Sequence, residues 1–334
     1  MKKILLDSNK NYYKANLHSH STKSDGAMTV EEMKEYYMDR GYSVIAYTDH
    51  EHLIDNSHLN DENFLAITSC ELDIKEDQNF STSVKREMKV CHLNLLAKDP
   101  KNIKTPCYSY FMDKYITDEI RDQVYQPEED YQRVYSTEKI SEMIKTANEQ
   151  GFLVTYNHPR WSLENATIYL GYKDIWAVEI YNHSSEVGGI YEYDINAYDD
   201  FLRDGQRCAC VCADDNHSAA SSCGGYVMIN ADKLDYDTIM KALENHDFYA
   251  STGPVIKELY IEDDTAYLTY EGGIYATIST RGRRAQRIVA ENPDGVNTVA
   301  FKFLPDSDGY IRFDVVGKDG TRANTNAYFL DELY

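Results

Sequence analysis

The stretch NLHSHSTKSDG, residues 16–26, follows the apolar run that begins at Tyr12 with two histidines one residue apart, His18 and His20, and a polar loop carrying Asp25. A His-x-His pair turns both rings to one face of a strand, because side chains alternate with a period of two. Here the pair stands where a strand gives way to a loop, so two imidazoles and a carboxylate are delivered to a strand end. The same design recurs along the chain. YSVIAYTDH (42–50) ends in Asp49 and His50, FLAITSCEL (64–72) reaches Glu71, and MKVCHLNLL (88–96) carries His92. FLVTYNHPR (152–160) reaches His158 and Arg160, IWAVEIYN (175–182) holds Glu179 and Asn182, and CACVCADDNH (208–217) ends in Asp214, Asp215 and His217. These runs predict seven strands.

Helical segments fit between several of them. Thr29-Val30-Glu31-Glu32 is a capping box and Gly41 a stop, which predicts a helix over 29–40. STEKISEMIKTANEQG repeats the plan, with an apolar stripe of Ile140, Met143, Ile144 and Ala147 ahead of Gly151. Strands alternating with helices imply an α/β domain with a mostly parallel sheet, open or closed into a barrel, and in such folds the site gathers at the carboxyl ends of the strands. This unit is expected over 1–250. Residues 99–135 interrupt the pattern just after the His92 strand, as a lid, a specificity insert or a plain surface excursion. From 251 to 334 the segments alternate apolar and polar residues, with Asp-Gly turns at 294, 308 and 319, so a small antiparallel β-sandwich is expected there.

Bulk properties narrow the chemistry. The 334 residues carry a formal net charge of −22, which disfavours binding along a nucleic-acid backbone. Seven cysteines show no disulfide framework, and neither a secretory leader nor a membrane span is visible, so a reducing cytoplasm is expected. Cys208, Cys210 and Cys212 alternate along one strand face, too widely spread for one tetrahedral ion, and read as small buried hydrophobes. The 29 tyrosines have no account from sequence.

Taken singly, a buried histidine is most often hydrogen-bonded core, and His52, His58, His183 and His246 are read that way. His18, His20, His50, His92, His158 and His217 instead stand at or near the ends of apolar runs, as do Asp25, Asp49, Glu71, Glu179 and Asp215. So many isolated buried groups would be costly without compensation, and bound divalent cations supply it. Imidazole with carboxylate suits zinc, manganese or iron.

With these residues in place, the sequence resembles the PHP (polymerase and histidinol phosphatase) domain over roughly residues 12–220. LHSHSTKSDG matches the first motif, AYTDH the second, SCELD the family glutamate, His92 with NHPRW the third, and CADDNHS the last. Asp214 stands where the family usually has Ser, and strand alternation favours Asp215 as the ligand. The resemblance implies a trinuclear metal site on a distorted seven-stranded (β/α) barrel, and two or three divalent ions are expected. His18, His20, Glu71 and Asp215 are implied as one ion's ligands, Asp25, His50 and His217 as a second set, and His92 and His158 as the third, with Glu71 bridging. Asp49 is expected to orient a neighbouring ring. The 251–334 unit, with STGP at 251–254, is similar to the tail of a two-domain branch that includes a carbaryl hydrolase.

The expected activity is hydrolysis of a small phosphorylated metabolite or nucleotide by metal-activated hydroxide, with Asp25, His50, Arg160 and His217 taking part. Arg160 either contacts phosphate or pairs with a surface acid, and Asn182 is expected to touch substrate. Two rivals are hydrolysis of a carboxylic or carbamate ester and a non-catalytic metal-binding module. The expected partner is a small-molecule phosphoester, with neither nucleic acid nor membrane, and the oligomeric state is open.

Overall fold

The computed structural model describes residues 2–77 and 87–334. Its strands, in chain order, are β1 (Lys2–Leu6), β2 (Asn11–Asn16), β3 (Val44–Tyr47), β4 (Leu65–Lys75), β5 (Val90–Ala97), β6 (Phe152–Tyr156), β7 (Ala177–Asn182), β8 (Ala209–Ala213), β9 (Tyr226–Ala231) and β10 (Phe248–Ser251). The remaining strands are β11 (Val255–Glu262), β12 (Thr265–Glu271), β13 (Tyr275–Thr280), β14 (Ala285–Val289), β15 (Val296–Lys302), β16 (Tyr310–Val316), β17 (Arg322–Thr325) and β18 (Tyr328–Phe329). The fold is mixed α/β, with one large mixed sheet and a separate antiparallel sheet.

All seven apolar runs form strands, β2 to β8, which are neighbours in sequence order. Beyond β8 the chain bridges back: Ser19 pairs with Asn216 in parallel, and Asp215 N–H donates to the His18 carbonyl at 2.9 Å. The carboxyl ends of β2 and β8 therefore meet. One expectation needs correcting. The sheet is not mostly parallel through its middle, because β5 runs antiparallel to both β4 and β6. His92 accordingly enters from the amino end of β5, opposite Asp73, and this reversal brings it level with the carboxyl ends of its neighbours.

The predicted helices form. α1 (Val30–Met38) begins at a complete Thr29/Glu32 capping box, and α2 (Thr137–Glu149) is capped by Ser136 and buries Ile140, Met143, Ile144 and Ala147. Helices Ile195–Arg203 and Tyr236–Glu244 add two more apolar faces. Cys208, Cys210 and Cys212 are buried thiols in the main core.

The boundary expected at residue 250 falls inside β10, which joins β9 to β17. Strands β13, β14, β16, β17 and β18 continue the large sheet, while β1, β11, β12 and β15 make the four-stranded one. The extreme N-terminal strand thus pairs with β11 of the C-terminal region, and the two layers enclose a second core that includes Ile256, Leu268, Phe301 and Phe313. The structure also accounts for part of the tyrosine excess. Many of these rings fill core volume while the hydroxyl finds a buried acceptor, as when Tyr135, Tyr156 and Tyr172 all donate to Glu164.

Candidate metal centre

The loop after β2 is shaped by its own serines. Asp49 accepts from Ser21 N–H at 2.8 Å, from Ser21 Oγ at 2.7 Å and from Ser24 Oγ at 2.7 Å. This corrects the expectation for Asp49: its hydrogen bonds hold the 21–24 loop, not an imidazole. Gly26 lets that loop fold back, since a Cβ there would lie 2.1 Å from the His20 carbonyl oxygen. Asp25 is thereby placed 3.7 Å from His20 Nδ1, 3.4 Å from His50 Nε2 and 3.5 Å from His217 Nε2.

Glu71, in the middle of β4, is the hub. Its oxygens lie 3.2 Å from His18 Nε2, 3.5 Å from His20 Nε2 and 3.2 Å from His50 Nδ1. They also lie 3.0 Å from His92 Nδ1 and 3.4 Å from His158 Nε2. Asp215 approaches His20 Nε2 at 3.0 Å and His18 Nε2 at 3.3 Å. All nine side chains implied as ligands are therefore brought to one place. Four overlapping groups have donor atoms within 4.8 Å of one another: His20/Asp25/His50/His217, His18/His158/Asp215, His18/His20/Glu71 and Glu71/His92/His158. His20 reaches both the Glu71 side and the Asp25 side.

The tenor of the site is set by what holds the rings. His18 Nδ1 meets Glu179 Oε1 at 2.9 Å, His158 Nδ1 meets Ser162 Oγ at 3.2 Å, and His217 Nδ1 meets the Asp215 carbonyl at 2.9 Å. A ring that donates from Nδ1 turns the lone pair of Nε2 towards the centre, as metal-binding imidazoles do. Glu179 also accepts from His158 N–H at 2.9 Å, and Asn157 donates to Glu71 at 2.8 Å. Burial alone would lower His18, yet Asp215, Glu71 and Glu179 raise it well above its ordinary value. Burial would likewise raise Glu71, and His92 and His18 hold it well below the usual carboxylate range. His92 is pushed up to about 10, its desolvation outweighed by Glu71 and Asp73.

The donor set fits divalent cations. His18 Nε2 and His20 Nε2 face each other at 3.3 Å, the edge of a tetrahedron with roughly 2.0 Å metal–nitrogen bonds, about 3.3 Å. His20 Nδ1, His50 Nδ1 and His92 Nε2 are buried with no hydrogen-bond partner, a costly arrangement unless a cation accepts such lone pairs.

Asp214 lies elsewhere. It accepts from the N–H groups of Cys223, Gly224 and Gly225 and from Tyr37 Oη, a buried structural role. Two expected substrate contacts are corrected. Asn182 is fully buried, donating to Glu179 at 3.0 Å and to Asp215 at 3.1 Å, so it supports ligands beneath the cavity. Arg160 is half exposed, 3.6 Å from Asp194, and does not line the cavity. The reason is local: Glu192 accepts from the N–H groups of Arg160 and Trp161, after a positive φ of 27° at His158, and this turn presents Trp161 instead. Burial pushes Glu192 up to about 7.

A cavity of about 210 Å³ opens over the cluster, walled additionally by Asp73, Lys75, Lys114, Tyr115 and Trp161. None of these five was predicted. Asp73 and Lys75 follow Glu71 at strand spacing, which is a signal the sequence does carry. Tyr115 stacks on His50 with ring centroids 4.7 Å apart, so the 99–135 insert contributes to the site. The four histidines read as ordinary stand outside the donor groups: His58 is near Glu31, His183 bonds Tyr181, His246 packs on Trp176, and His52 is buried.

No family model matches the chain, and no curated protein matches it. Among solved structures, the chain is similar to a two-domain protein from Bacteroides vulgatus containing a predicted PHP-like metal-dependent phosphoesterase, at 15% identity over 97% of this chain and 96% of that one, with TM-score 0.45. It is similar to an amidohydrolase from Chromobacterium violaceum with bound sulfate, at 14% identity over 61% of this chain and 88% of that one, with TM-score 0.38. It is also similar to a protein from Bifidobacterium adolescentis described, by prediction, as a metal-dependent phosphoesterase, at 14% identity over 61% and 87% of the two chains, with TM-score 0.38.

Proposed function

We propose that this protein is a metal-dependent phosphoesterase of the PHP type, acting on a small phosphorylated metabolite or nucleotide. The observation that carries the reading is the convergence of six imidazoles and three carboxylates in one cluster, with His50, His92, His158, His217 and all three carboxylates lining one cavity and three buried ring nitrogens lacking a hydrogen-bond partner. In this reading β2 to β8 form a distorted barrel, and the region from 251 onwards is a supporting β unit.

Two or three ions of zinc, manganese or iron would be held by His18, His20, Asp25, His50, Glu71, His92, His158, Asp215 and His217. When bound, such ions supply a water-derived nucleophile near neutral pH and neutralise charge that develops on phosphorus. The chain's own residues do the rest. Glu179 fixes the tautomer of His18, and Asn182 fixes Asp215. Asp25 and His217 stand at the open side, 40% and 39% exposed in the order His217, Asp25, where they meet an entering ester and can hold a proton of the attacking water. Trp161 and Tyr115 wall the entrance and limit access of bulk water.

Charge bears on the choice of substrate. A net −22 disfavours a polynucleotide but not a small phosphate, since cations in the cavity offset it locally. The test is hydrolysis of aryl phosphates and aryl carboxylic esters, side by side, by the manganese-loaded protein. Turnover of the phosphates, lost at least about 100-fold in His50→Ala, is expected. Phosphate turnover no higher than that of His50→Ala contradicts the reading, and ester turnover alone favours the carboxylic-ester rival.

A further inference from the structure

We propose that Trp161, positioned by the buried carboxylate of Glu192, is the specificity-determining residue of this site and selects phosphoesters whose alcohol carries a flat ring beside the ester oxygen. The inference rests on the phosphoesterase reading for the place of the phosphoryl group and on its own observations for the ring. The turn after β6 is fastened from within the fold. Glu192 is fully buried and accepts from Arg160 N–H at 2.9 Å and from Trp161 N–H at 2.8 Å. Its own N–H donates to Glu186 Oε1 at 2.8 Å, and its carbonyl accepts from Asn182 N–H at 3.3 Å. Asn182 in turn donates to Asp215, so the backbone of Trp161 is tied to a residue that supports the ligand set.

The indole that this turn presents is half-buried and packs on two of the rings implied as ligands, 5.0 Å from His158 at 73° and 5.2 Å from His92 at 51°. Tyr115, half-buried on the insert, stacks on a third, 4.7 Å from His50. Both side chains line the cavity. An ester whose phosphoryl group is held at the cluster therefore meets the indole and the phenol directly outside it. A substrate ring packs on such groups at centroid separations of about 4.5–7 Å, within reach of a ring on the ester oxygen or one carbon away. The base of a nucleoside 5′-phosphate is carried past them by its ribose. The substrate class is thus a phosphate ester of a phenol or an arylmethanol, which favours a small metabolite over a nucleotide.

The test uses manganese-loaded full-length protein and three non-hydrolysable probes, with binding measured by calorimetry: benzylphosphonate, propylphosphonate and the 5′-methylenephosphonate analogue of AMP. The wild type is expected to bind benzylphosphonate about tenfold more tightly than either of the others. Trp161→Leu is expected to lose most of that preference, and Trp161→Phe, which keeps a ring, to retain most of it. Glu192→Gln leaves one of the two N–H groups facing an amide donor and is expected to reduce the preference about threefold. Acrylamide quenching reads the indole itself, since the other of the two tryptophans, Trp176, is buried. Benzylphosphonate is expected to shield Trp161 in the wild type and less so in Glu192→Gln. Equal affinity of the wild type for benzylphosphonate and either other probe, or a preference unchanged in Trp161→Leu, overturns the inference. Preference and shielding both unchanged in Glu192→Gln overturn the positioning role of Glu192. Hydrolysis of aryl phosphates is scored separately. Preference without turnover retains the ring site and removes the phosphoesterase reading, whereas turnover without preference does the reverse.

Discussion

Glu179 holds His18: its Oε1 lies 2.9 Å from His18 Nδ1, while its Oε2 accepts the backbone N–H of His158 at 2.9 Å. One buried carboxylate on β7 thus orients an imidazole delivered by β2 and fixes the turn that delivers another from β6. Geometry of this kind, with a carboxylate behind the imidazole, sets the tautomer and raises the basicity of the nitrogen that faces the centre.

Replacing Glu179 by Gln keeps the volume and removes the charge. Manganese affinity is expected to fall about 10- to 100-fold, measured by competition with a chelating dye, while the far-ultraviolet circular dichroism is retained. An affinity within twofold of wild type would mean that His18 needs no such support.

Arg133 ties the 99–135 insert to the site. Its Nη1 donates to Glu51 at 2.9 Å and to the Asp73 carbonyl at 2.9 Å, and its Nε donates to the Cys107 carbonyl at 3.1 Å, all buried. Arg133→Met leaves Glu51 buried without its cation, which costs about 3–5 kcal/mol. Urea unfolding followed by fluorescence is expected to show that loss, and a change below about 1 kcal/mol would show the insert to be anchored otherwise.

His246 offers a pH test far from the metal centre. Burial lowers it from 6.5 to about 4. The unfolded chain therefore binds the proton more readily than the folded one, so this stability is complete above pH 6.5 and is lost as pH falls towards 4. The span is about 2–3 kcal/mol. His246→Asn suits the positive φ of 60° at this position. Unfolding free energies at pH 7 and pH 4.5 should differ less in this variant than in the wild type, and an equal difference would contradict the assignment.

Much of this architecture is written in local pattern. Each of the seven apolar runs became a strand because it alternates or runs continuously between polar breaks, and the ligand-type residues at their ends were visible for the same reason. What escaped depends on tertiary geometry. The reversal of β5 cannot be read from MKVCHLNLL, because a strand has the same pattern in either direction. Arg160 and Trp161 are adjacent in NHPRW, and only the left-handed turn at His158, fastened by Glu192, decides which one faces the cavity. Asn182 carries no mark of its burial, and the pairing of β1 with β11 joins residues some 250 apart. Asp73 and Lys75 were not expected at the site either, although their strand spacing from Glu71 is a signal the sequence carries.

The account stands on cations bound among the rings around Glu71. Anomalous-difference maps from crystals soaked in manganese test it directly. Two or three peaks are expected among His18, His20, His50, His92, His158 and His217, with Glu71 touching more than one, and their loss is expected in Glu71→Ala. Maps with no peak in this cluster, from protein that takes up manganese elsewhere or not at all, would contradict it.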